Sequence, residues 1–217
     1  MKNNLSELVF ILDKSGSMAG LESDTIGGFN SMLKKQKAVD GECRITTVLF
    51  DNTYELLHDR IDIRAVSGVT DKEYQVGGST ALLDAIGRTI HKISTVQKNT
   101  ADEYRADKVM FVIITDGEEN ASREYSAEMV KTQIERQKEK YSWEFVFLGA
   151  NIDAVQTAGR FGIAPAMAMN YVPDAEGTAL NFEVMSHAVM SFREAGAVDE
   201  ECFDEIRQDM QRRGGRK

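Results

Sequence analysis

Cysteine is scarce in this chain, with only Cys43 and Cys202 among 217 residues. Neither stands in a CxxC pair or at a zinc-ligand spacing, which excludes a CxxC redox motif and a cysteine zinc site. Both read as reduced, structural thiols of a reducing compartment, with one long-range disulfide as the alternative. Histidine is nearly as rare. His58, His91 and His187 share no ligand spacing and none is placed for a catalytic triad, so each reads as structural or surface. Long apolar runs are missing too. The first one covers residues 8–12 and is too short for a signal-peptide core or a membrane span. A cytoplasmic location is therefore expected. Positive charge is in deficit: 26 Lys and Arg face 35 Asp and Glu, for a net charge of -9, which disfavours extended nucleic-acid binding. There is no repeat and no low-complexity linker. No GxxxxGK[ST] is present and no GxGxxG follows the first strand, so the usual phosphate-cradling loops are absent.

What remains is an ordinary soluble composition, 42% hydrophobic and 28% charged. The length suits one well-buried core. Residues 1–198 are expected to form a single domain and residues 199–217 a charged helix or tail whose last residues are disordered. Apolar strand-like runs alternate with amphipathic stretches. Strands are expected over 5–12, 43–50, 54–60, 108–115 and 143–148, with an edge strand near 167–172. The run from Val109 to Ile114 is almost uniformly apolar and suits a parallel strand buried on both faces. Helices are expected over 21–37, 81–97, 125–140, 154–161 and 177–195. The first has Ile26, Phe29, Met32 and Leu33 on one face. The second has Leu82, Ala85, Ile86, Ile90 and Ile93 at helical spacing, with Ser79 or Thr80 as its N-cap. This alternation predicts an α/β domain with a mostly parallel sheet and helices on both faces.

The most informative residues are Asp13-Lys14-Ser15-Gly16-Ser17-Met18. An apolar strand stops at a carboxylate, and two hydroxyls follow at alternate positions of a Gly-containing turn. Such hard oxygens suit Mg²⁺, Mn²⁺ or Ca²⁺ rather than zinc or copper. Two other segments occupy similar places. Thr80, in Gly77-Gly78-Ser79-Thr80, precedes a helix, and Asp116, followed by Gly117, ends the most apolar strand. Ligands of open α/β sheets bind beyond the carboxyl ends of strands, so these oxygens converge if the two strands are neighbours. Two carboxylates and three hydroxyls bring only about two negative charges, and a divalent cation held by them stays electrophilic.

Asp13-x-Ser15-x-Ser17, Thr80 and Asp116, in that order and on those elements, resemble the metal-ion-dependent adhesion site of von Willebrand factor A domains. The flanking Gly78-Ser79-Thr80-Ala81-Leu82 with Asp84, and Ile114-Thr115-Asp116-Gly117, match as well. The resemblance spans roughly residues 5–195. Gly149-Ala150-Asn151-Ile152-Asp153-Ala154 is similar to the stand-alone prokaryotic and phage members. What the resemblance implies is a Rossmann-like, doubly wound, six-stranded sheet of order 3-2-1-4-5-6 with one antiparallel edge strand. It implies that Ser15 and Ser17 bind Mg²⁺ directly, and that Thr80, Asp13 and Asp116 bind it directly or through water. Mn²⁺ and Ca²⁺ are the alternative ions. It also implies a protein partner whose Asp or Glu completes the coordination, with neither nucleic acid nor membrane as partner.

Other polar residues have plainer readings. Asp84 is expected to cap its helix and brace a loop. Glu118 and Glu119 read as a solvated helix start, with the site rim as the alternative. Asp51 is expected in a turn. Met167, Met169, Met185 and Met190 read as core filler, and the basic tail as a solvated end. The leading function is a non-catalytic, Mg²⁺-dependent protein-binding module. The competing one is a haloacid-dehalogenase-like phosphoryl-transfer enzyme. Such an enzyme needs a second Asp two residues after the nucleophile, where this chain has Ser15, and a Lys beside the site.

Overall fold

The computed structural model describes residues 4–214. Six strands form one sheet: β1 Ser6–Asp13, β2 Cys43–Phe50, β3 Tyr54–Asp62, β4 Lys108–Thr115, β5 Glu144–Gly149 and β6 Ala168–Asn170. Their order is β3-β2-β1-β4-β5-β6. Every neighbouring pair is parallel except β2 with β3, which run antiparallel at one edge. The expected strand order and antiparallel edge are thus both present.

The helices are α1 Glu22–Lys37, α2 Leu82–Asn99, α3 Ala127–Tyr141, α4 Ala154–Arg160, α5 Ala175–Ala195 and α6 Asp204–Arg213. They divide between the two faces of the sheet. The period-2 alternation of β1 explains how. Leu8, Phe10 and Leu12 point to a core built with Phe29 of α1 and Met185, Val189 and Phe192 of α5. Val9 and Ile11 point the other way, to Ile86, Ile90 and Ile93 of α2 and Val130 and Ile134 of α3. β4 splits in the same manner, Met110 and Val112 to one side, Phe111 and Ile113 to the other. A strand buried on both faces has no polar side to alternate with, hence its near-continuous apolar sequence.

The expected elements sit within a few residues of the observed ones, with two differences. The N-cap of α2 is neither Ser79 nor Thr80. Ala81 occupies that position and offers no side-chain cap. The first amides of α2 are met from a distant loop instead: Leu83 N donates to Glu119 at 2.8 Å and Asp84 N to Ser122 Oγ at 3.0 Å. Glu119 is accordingly not part of a solvated helix start. The other difference is at the C-terminus. Phe203 and Ile206 of the final segment are buried in the α1–α5 core. Arg213 is ion-paired with Asp209 and Asp174 rather than solvated. The expected disorder of the last residues falls on 215–217, outside the described residues. Among the described residues, no helix is long and apolar enough to cross a membrane.

Candidate metal centre

β1 and β4 lie side by side in the middle of the sheet, in register from Ser6 opposite Lys108 to Leu12 opposite Ile114. Asp13 and Asp116 therefore emerge together at the carboxyl edge. After Asp13 the chain makes a single 3₁₀ turn, Gly16–Met18. The loop carrying Thr80 is stitched to it by backbone hydrogen bonds, Gly16 N to Gly78 O at 3.1 Å and Gly77 N to Lys14 O at 2.9 Å. Gly78 has φ +73°, and a side chain there would collide with Asn52 of the β2–β3 turn.

These links bring the expected oxygens together. Thr80 Oγ1 donates to Ser15 Oγ at 3.0 Å, and the Ser15 and Ser17 hydroxyls are 3.0 Å apart. A Cβ on Gly117 would stand 2.9 Å from Ser17 Oγ and 3.3 Å from Thr80 Oγ1. The chain after Asp116 thus passes directly against both hydroxyls, and the missing side chain keeps the space between them open. Asp13, Ser15, Thr80 and Asp116 are all buried, while Ser17 is exposed.

Each carboxylate is held by neutral donors. Asp13 accepts the Ser15 amide at 2.6 Å on Oδ1 and the Thr115 hydroxyl at 2.6 Å on Oδ2. Asp116 accepts from the Asn151 amide, and the phenol of Tyr74 donates to the carbonyl of Asp13. No Lys or Arg pairs with either carboxylate among the described residues. The nearest candidate in sequence, Lys14, is bound to Glu55 at 2.6 Å. Burial consequently dominates. It raises the carboxyl of Asp13 above its ordinary range against its hydrogen bonds. It pushes Asp116 up to about 6, with the charge of Asp13 adding to the rise. Burial also raises the phenols of Tyr74 and Tyr171, and both aspartates reinforce this.

This donor set fits a hard divalent cation. Two desolvated carboxylates without a counter-charge sit on the same edge as three converging hydroxyls. Leaving such charges unpaired is costly, and a cation among them removes the cost. No three His, Cys, Asp or Glu side chains come together among the described residues. A carboxylate-rich cage or a zinc-type site is therefore not the alternative here.

Surrounding residues hold the loops. Asp84 accepts the backbone amides of Arg123, Glu124 and Tyr125 at 2.8–2.9 Å, the bracing role expected of it. Asp51 takes the amide and hydroxyl of Thr53 within its turn. Asn120 accepts the Thr80 amide at 3.0 Å. Four residues have supporting roles that the sequence did not assign to them: Tyr74, Thr115, Glu119 and Asn151. Only Asn151 carried a signal, since Asn readily adopts the left-handed conformation that it has here, φ +53°.

A six-stranded sheet in this order has known counterparts among solved structures. The von Willebrand factor type A protein from Catenulispora acidiphila superposes with a TM-score of 0.58 at 14% identity, over 86% of this chain and 42% of that one. This chain has the von Willebrand factor A fold. The ArnB paralog VWA2 from Sulfolobus acidocaldarius matches with a TM-score of 0.51 at 14% identity, over 88% of this chain and 45% of that one. The manganese-loaded TRAP protein of Plasmodium vivax matches with a TM-score of 0.50 at 21% identity, over 69% of this chain and 58% of that one. The chain thus spans about half the length of these structures. No protein-family model and no curated protein matches the sequence.

Proposed function

We propose that this chain is a divalent-cation-dependent protein-binding module of the stand-alone A-domain type, without catalytic activity. Asp13, Ser15, Ser17, Thr80 and Asp116 would hold the ion, Mg²⁺ first, with Mn²⁺ or Ca²⁺ as alternatives. The observation that carries this reading is the pair of buried, uncompensated carboxylates facing three hydroxyls. The manganese in a protein of the same fold is consistent with it. When bound, the cation supplies positive charge and a coordination position that an Asp or Glu of a partner protein can fill. The protein's own residues do the rest. Asp13 fixes the turn through the Ser15 amide, and Thr115 and Asn151 orient the two carboxylates. Gly117 leaves the approach between Ser17 and Thr80 clear.

Phosphoryl transfer is the weaker reading. Both oxygens of Asp13 are engaged by hydrogen bonds, the position of a general acid is taken by Ser15, and Lys14 is committed to Glu55. The free thiols of Cys43 and Cys202 support the cytoplasmic reading. Calorimetric titration with Mg²⁺ and Mn²⁺ tests the ion: binding is expected in the native chain and lost in Asp13→Ala and Ser15→Ala. A native chain that takes up neither ion refutes the proposal. A pull-down with and without EDTA tests the bridge, and an unchanged set of retained proteins would sink it.

A further inference from the structure

Between β3 and α2 the chain has neither helix nor strand, from residue 63 to residue 81. Irregular connections of this length are uncommon in a compact domain and usually serve a function. This one travels the height of the sheet. β3 ends at Asp62, opposite Arg44 at the start of β2, whereas Ala81, just before α2, is bound to Asp51 O beyond the end of β2. The connection crosses α1 on the way and is fastened there. Lys37 Nζ donates to Val66 O at 2.6 Å. Asn30 spends both its polar atoms on one residue, Nδ2 donating to Val69 O and Oδ1 accepting Val69 N, each at 2.8 Å. Val66, Val69 and Tyr74 are buried in the core that α1 covers. The backbone passes so close to α1 that a Cβ on Gly68 would stand 2.6 Å from Asn30 Oδ1.

Past these anchors a single turn aims Tyr74 inward. Tyr74 N donates to Thr70 O at 3.0 Å, and Glu73 accepts the Thr70 amide at 2.9 Å. The segment then runs against the turn that follows β1. The Tyr74 phenol donates to Asp13 O, Gly77 N to Lys14 O at 2.9 Å, and Gly16 N to Gly78 O at 3.1 Å. Immediately afterwards Thr80 brings its hydroxyl to 3.0 Å from Ser15 Oγ. α1 follows the Ser15–Ser17 turn in the chain, so the circuit closes. The helix that continues from the two serines also holds the strap that delivers Thr80 to them.

We infer that Asn30 and Tyr74 are positioning residues of the metal centre: they hold the 63–81 strap so that Thr80 stands against Ser15, and thereby set the affinity for the divalent cation. This rests on the function proposed above. Neither residue offers the ion a ligand atom, since the Tyr74 phenol is spent on a backbone carbonyl and the Asn30 amide on Val69. Their effect comes from order. A hydroxyl is a neutral, weak ligand whose contribution depends on its standing in place before the ion arrives. Without the anchors, binding would have to order a long irregular segment first.

The full chain is compared with Tyr74→Phe, Asn30→Ala and Gly68→Ala by two measurements. Deuterium exchange in EDTA reads the strap with no ion present. The amides of Gly16 and Gly77 are expected to label faster in Tyr74→Phe and Asn30→Ala, and those of Phe10 and Val112 at the native rate. Calorimetric titration with Mn²⁺ reads the consequence. Tyr74→Phe is expected to lose roughly fivefold in affinity, the equivalent of one net hydrogen bond. Gly68→Ala forces Asn30 away from Val69 and is expected to weaken binding as Asn30→Ala does. The double variant is expected to bind no more weakly than Asn30→Ala, because the group that the new methyl displaces is already gone. The inference is overturned by native exchange at Gly16 and Gly77 in both variants, by native ion affinity in both, or by losses that add in the double variant. The proposed function survives each of these results, whereas a native chain that takes up no ion refutes both.

Discussion

β1 carries a buried carboxylate at each end. Glu7, fully buried near the start, accepts Arg60 Nε at 2.6 Å, a second Arg60 nitrogen at 3.1 Å and the Gln97 amide at 2.6 Å. Asp13, equally buried at the end, has only a hydroxyl and an amide. The same strand thus holds one acid that the protein has neutralised from within and one that it has not. The first is a structural pair. The second is a charge left for something else to neutralise, and Asp116 beside it repeats the pattern.

That contrast can be broken most forcefully at Glu7. Arg60→Met removes its counter-charge and is expected to cost about 3–5 kcal/mol in a urea melt. A loss comparable to that of an exposed ion pair would mean that the pairing matters little. Next in size is Asp84→Ala, which strips three loop amides of their acceptor and is expected to cost about 2 kcal/mol. It should also weaken Mg²⁺ binding, because the loop it braces carries Asn120 against Thr80.

A smaller effect separates the two ends by pH. Asp116 is raised from 3.8 to about 6, so its contribution to stability is complete below the unfolded value and fades as pH rises through about 6. In EDTA the melting temperature is therefore expected to fall across this window. The corresponding slope should be shallower in Asp116→Asn, where only the share of the likewise raised Asp13 remains, and Mg²⁺ should flatten it. An identical pH profile in native chain and variant would remove Asp116 as the cause. The smallest change in stability is expected from Asp13→Asn in EDTA, within about 1 kcal/mol of native, because one hydrogen bond is lost while a buried charge is relieved. A large destabilisation would place Asp13 with Glu7 as a structural acid.

Much of the carboxyl edge was legible because its signals are local. A carboxylate that halts an apolar run, two hydroxyls at alternate positions and a glycine after Asp116 can each be seen in a few residues. The sheet was legible for a related reason: a strand such as Val109 to Ile114, with no polar residue, can only be buried on both faces. What escaped reading acts across long separations. Glu119 caps α2 through the amide of Leu83, 36 residues earlier, and nothing beside it in sequence reveals that. Ser79 or Thr80 was expected to cap α2, but the Thr80 hydroxyl is turned to Ser15 and its amide to Asn120. A residue that serves a site cannot also serve its helix, and local propensity does not know which demand prevails. Arg60, with φ +52° beside register shifts in β2–β3, is another such case. Its backbone conformation is uncommon for a non-glycine residue, yet it is what accompanies the guanidinium reaching Glu7.

The central placement of β1 and β4 has a consequence in time. Strands flanked on both sides and covered on both faces open only with the whole molecule, whereas the three-residue β6 and the C-terminal helix α6 can open locally. In deuterium exchange, the amides of Phe10, Ile11, Val112 and Ile113 should be among the slowest to label. The stems of the candidate metal centre would then outlast the periphery, and Asp13 and Asp116 would keep their footing on the sheet through fluctuations that loosen its edges.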